Sequence, residues 1–89
     1  MAEGSLTEFG DRIDEKTAVW LKARPAPGRE ADLWRVDDLG NLIKYTDHGD
    51  AASAYGWVIH RKKAAWFDGA DSTAHKIPLH CRANARLVG

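Results

Sequence analysis

The sequence predicts one small α+β domain: an N-terminal helix, then a β-hairpin, then a strand, a loop and a closing helix. Three observations point there. The chain has 89 residues, enough for one modest core and too few for two,. A polar, acidic stretch with loose helical spacing stops at "RPAPGRE", and short apolar runs separated by Gly, Asn and Asp follow it,. Four tryptophans supply rings large enough to make up much of a small core,.

Residues 1–6 read as a flexible tail, and residues 7–89 as the single domain. The helix is expected from about Thr7 to Ala23. Thr7 can cap it, the early turns are acidic, and Lys22 and Arg24 near its end suit the helix dipole. Gly10 weakens the first turns and shifts the start toward Asp11. Ile13, Val19, Trp20 and Ala23 would form the buried side. Pro25 disfavours helical geometry at Arg24, and Pro27-Gly28 makes a loop. Leu33, Trp34 and Val36 then read as strand, Asp37 to Asn41 as a turn, and Leu42 to Thr46 as the returning strand. "AYGWVIH" is a third, apolar strand. "RKKAAWFDGADSTAH" is a long loop. The last element, about Pro78 to Leu87, reads as a helix with Pro78 in its first turn. Leu79, Ala83 and Leu87 would stack on one face, and His80 with Asn84 on the next.

No run approaches the ~20 apolar residues of a membrane span, so no membrane partner is expected. The polar N-terminus does not read as a signal or transit peptide. A single cysteine, Cys81, cannot form an internal disulfide, and the expected compartment is the reducing cytoplasm,. The net charge is zero, but it is unevenly spread. Residues 1–19 hold five acids against Arg12 and Lys16, a balance of −3. Residues 60–89 hold six bases against Asp68 and Asp71, a balance of +4. Such a basic third can face a phosphate backbone, and it can equally be a solvated surface.

The chemistry concentrates where the third strand ends. Trp57-Val58-Ile59 runs into His60, and Arg61, Lys62 and Lys63 follow at once. If His80 and Asn84 share a helix face, they and His60 make three candidate ligands for zinc or a similar divalent transition metal. Imidazole suits such ions, while an amide oxygen is a poorer donor. No cofactor is required by the composition, and any such metal would bind weakly.

From about Lys16 to Arg86 the chain resembles a group of small bacterial HNH endonuclease-like proteins. Their pattern runs "W-R-x-D-x-x-G-N-x-I-x-Y", then "Y-G-W-E-I-D-H-I", a "G-G-x-D" loop, and "N-L-Q-P-L-H-W-x-x-N". This sequence matches at Trp34-Arg35, Asp37, Gly40-Asn41, Ile43, Tyr45, Tyr55-Gly56-Trp57, Ile59, Gly69, Asp71, Pro78-Leu79-His80 and Asn84. The resemblance implies the ββα-metal core, or His-Me finger, with a divalent metal beside a histidine general base that activates water against a phosphodiester.

The departures fall on the chemistry. His60 occupies a metal-ligand position, but Arg61 occupies that of the general base. Arginine stays protonated at physiological pH and offers no lone pair, so it cannot take a proton. His75 replaces the loop Asn that orients the base, Val58 replaces a Glu, and Cys81 a Trp. Three readings follow. In the first, a degenerate HNH-like domain binds DNA or RNA phosphates through Arg61, Lys62, Lys63, Arg82 and Arg86. In the second, the fold serves as an interaction module for another protein. In the third, it is an active nuclease with His75 as a relocated base.

Overall fold

The computed structural model of the protein describes residues 14–62 and 73–88. Among the described residues it is an α+β fold of two α-helices and two antiparallel sheets. The first described helix, α1, spans Glu15–Trp20. Asp14 caps it, its carboxylate accepting from Thr17 N at 2.8 Å, and that bond holds the Asp14 carboxyl below its usual range,. Thr7, Gly10, Asp11, Ile13 and the expected tail lie outside the described residues. The helix ends at Trp20, three residues before the expected Ala23. There the backbone tightens into bonds from Lys22 N to Val19 O and Ala23 N to Trp20 O. The Arg35 guanidinium then takes the carbonyls of Leu21 and Ala23, so a strand residue satisfies the end of the helix,.

The first sheet has the order β1-β2-β3, with β1 at Arg24–Pro25, β2 at Trp34–Val36 and β3 at Leu42–Lys44. Arg24–Pro25, expected as loop, pairs with Val36 and Arg35 as an edge strand, where a proline is tolerated,. In the hairpin, Trp34 faces Lys44, Arg35 faces Ile43 and Val36 faces Leu42. Its turn closes through Gly40 N to Asp37 O, with Gly40 at φ +88°, a conformation that suits glycine,. The returning strand stops at Lys44, two residues before the expected Thr46. Tyr45–Asp47 coils into a 3-10 turn, fastened by Asp47 to Ser53 and to Asp50 N.

The second sheet pairs β4 (Trp57–Arg61) with β5 (Lys76–His80), and α2 (Cys81–Val88) packs on both strands. Pro78 was expected to open the last helix. It lies instead in β5 opposite Ile59, and the helix begins three residues later at Cys81. Both sheets are held together by one core of Val19, Trp20, Ala23, Ile43 and Trp57, with Tyr45 and Ile59 packed against it. The Trp20 and Trp57 rings lie 5.2 Å apart, and Tyr45 stands edge-on to Trp20 at 5.3 Å. Both indole N–H groups donate to carbonyls, those of Ala31 and Tyr45,. Trp34, expected in this core, is only half-buried, because β2 alternation sends Arg35 inward and Trp34 outward,.

A second set of bonds ties α1 to β5. Lys76 is 4% exposed and pairs with Glu15, while Lys22 donates to the carbonyls of Thr73 and Lys76. Burial, and then the nearby Lys62 charge, push the Lys22 pKa down. No described helix is long and apolar enough to cross a membrane.

Candidate functional site

β4 and α2 bring two of the three candidate ligands together. The His60 Nδ1–H donates to Asn84 Oδ1 across 2.9 Å. His60 is placed by the ladder, opposite Ile77, and Asn84 by one turn of α2 that faces β4. In the tautomer that makes this bond, Nε2 is the nitrogen that carries the lone pair,.

His80 does not join them. It ends β5 rather than riding on the helix, so it shares no face with Asn84. Its Nε2–H donates to Ala54 O at 2.7 Å, and its Nδ1 accepts from Arg82 N at 3.1 Å. Both ring nitrogens are therefore occupied, and the imidazole caps the start of α2. What remains for a metal is one imidazole nitrogen and an amide oxygen already bonded to that ring. Zinc sites take three or four protein donors, and this pair does not fit one. Among the described residues no group of three His, Cys, Asp or Glu could hold an ion. Cys81 is half-buried, and its thiol is pushed up by burial and by Asp50.

The cations also divide. Arg61 and Lys62 are exposed where β4 ends. Lys62 N donates to His75 O at 2.7 Å, which places the His75 backbone one step beyond the Arg61–Lys76 pair. Lys63 lies outside the described residues. Arg82 and Arg86 share one side of α2, and at about 100° per residue that side is nearly opposite Asn84. The four expected phosphate contacts among the described residues therefore do not surround one groove,. Two of them line a cavity of about 280 Å³ on the far side of the helix, with Asn41, Leu42, Ala54 and Tyr55.

Two residues that sequence reasoning gave no site role position everything above. Asp37 is fully buried, and its carboxylate accepts from the backbone N–H groups of Leu39, Asn41 and His80 and from Asn41 Nδ2. It thus joins the hairpin turn to the point where β5 becomes α2. Gly56 lies against Asp50 so closely that a Cβ would sit 1.8 Å from its carbonyl oxygen, and its own carbonyl accepts from Cys81 N. An Asp before a turn and a Gly before a Trp are visible signals, but the partners 43 and 25 residues onward are not. No protein-family model, curated protein or solved structure matches the chain.

Proposed function

We propose that the protein is an HNH-like ββα domain that binds nucleic-acid phosphates without cleaving them. The supporting observation is the junction itself. An antiparallel hairpin packs on a helix, His60 meets Asn84 at 2.9 Å, and the next residue is a permanent cation. Supporting this, Arg61 and Lys62 are exposed at the end of β4 and are continued by Lys63 in sequence, and the resemblance implies a scissile phosphate beside that strand end. Arginine grips phosphate with two parallel N–H donors, so it turns a hydrolytic position into a holding one.

A second reading has its own observation. An imidazole whose Nδ1–H is fixed by Asn84, with Nε2 bearing the lone pair, is oriented as a general base would be,. The two readings part in a cleavage assay. Supercoiled plasmid incubated with Mg, Mn, Ni or Zn ions stays intact under the binding reading. Nicking that disappears in His60→Ala or His75→Ala establishes a nuclease instead.

A further inference from the structure

The outer face of the three-stranded sheet carries a second surface. Alternation along β2 and β3 puts Trp34, Val36, Leu42 and Lys44 on that face, all of them half-buried,. The Tyr55 ring stands edge-on to Trp34, with centroids 5.0 Å apart and planes at 81°. Arg29 lies 4.6 Å and Lys44 5.3 Å from the centre of the Trp34 ring. Tyr55 is 38% exposed and also forms a wall of the cavity beside α2, where Arg82 and Arg86 stand one turn apart. No carboxylate lines that cavity, and among the described residues none pairs with either guanidinium.

We propose that this surface holds an unpaired nucleotide of a single-stranded nucleic acid, the base against Tyr55 and Trp34 and the phosphate against Arg82 and Arg86. The inference deepens the binding reading but uses residues on the opposite side of α2 from Asn84. An exposed ring beside a half-buried one, interleaved with cations, is what a single strand requires: every base has a face to stack, and every linkage an anion to neutralise,. A duplex hides its base faces inside the stack and cannot use the rings. The cavity of about 280 Å³ falls just below the roughly 300–1,000 Å³ of small-molecule pockets, which suits one nucleotide unit better than a larger cofactor,. Asn41, held by Asp37 at the rim, offers an amide to a base edge.

The test is fluorescence anisotropy with a labelled thymidine oligomer of about 12 residues, its duplex form, and polyglutamate as competitor. The single strand is expected to bind at least about tenfold more tightly than the duplex, since only it can stack. Tyr55→Leu should weaken it roughly 5- to 150-fold, the equivalent of one lost base stack. Arg82→Gln with Arg86→Gln, on an exposed helix side that the fold does not need, should lower the salt slope by about one to one and a half. Equal binding of strand and duplex, or indifference to all three substitutions, overturns the inference. So does equal competition by polyglutamate, which would mark an acidic-peptide surface. If binding is instead lost only on Arg61→Glu with Lys62→Glu, the inference fails while the β4 site stands. Strand preference that depends on Tyr55, Arg82 and Arg86 but not on Arg61 or Lys62 leaves the inference standing and removes the β4 site.

Discussion

Replacing Asp37 by Ala should come close to unfolding the protein. Its carboxylate receives His80 N at 2.9 Å, Asn41 N at 2.8 Å, Leu39 N at 3.0 Å and Asn41 Nδ2 at 3.2 Å. The His80 N–H is buried and finds no water in its place, so orphaning it costs about 1–3 kcal/mol,. The two turn N–H groups are partly exposed and recover some solvation; losing two bonds to a charged acceptor adds about 2 kcal/mol more,. The sum of about 3–5 kcal/mol compares with a total stability near 4–13 kcal/mol for a chain of this length. Asp37→Asn is nearly isosteric, but its NH2 would face His80 N and Asn41 Nδ2, donor against donor. It should lose most of the same amount. Urea unfolding followed by tryptophan fluorescence measures both variants, because Trp20 and Trp57 are in the core that the hairpin covers,. A loss under about 1 kcal/mol in both would refute the assignment of Asp37 as the joint between hairpin and helix.

Two further outcomes follow from other parts of the fold. Gly56→Ala drives a Cβ to 1.8 Å from Asp50 O and 2.8 Å from Asp50 C, both backbone atoms that cannot swing aside. A loss of about 3 kcal/mol or more is expected in a thermal melt, and a melt unchanged by the substitution would contradict the close approach. The His48 ring packs 4.6 Å from Trp57, and burial, then the Lys16 charge, hold its pKa below the ordinary histidine range. Its neutral form is thus favoured in the folded state. The contribution is complete above the unfolded pKa and is lost as pH falls through the lower folded value. Between about pH 7.5 and 5.5 the wild type should therefore lose more thermal stability than His48→Gln; equal losses would remove His48 from that slope.

Much of the architecture is written locally. The hairpin is legible because Asp37, Gly40 and Asn41 favour its turn and apolar residues alternate on either side,. β4 is legible as an apolar run that breaks into charge. The end of the chain is not legible in the same way. Leu79, Ala83 and Leu87 have helical spacing, yet Leu79 belongs to β5 and Leu87 is 59% exposed. Pairing with Trp57–Arg61 overrides that spacing, and a two-stranded sheet tolerates Pro78 at its edge,. The same override moves His80 from helix to strand, which is why only His60 and Asn84 of the expected trio meet. The separation of Arg82 and Arg86 from Arg61 and Lys62 has a similar cause. Charge counted along the chain does not record which side of α2 each residue occupies. Lys76, counted among the basic residues, is buried against Glu15 for reasons set by α1 packing on β5.

Binding without cleavage is tested most directly by titrating labelled oligonucleotide with the purified protein from about 20 to 200 mM salt, alongside Arg61→Glu with Lys62→Glu. Log K is predicted to fall linearly with log salt with a slope of roughly −2 to −4. The double charge reversal should weaken binding and flatten its salt dependence, and the recovered oligonucleotide should be intact. No binding at the lowest salt, or binding indifferent to both salt and charge reversal, would contradict the account.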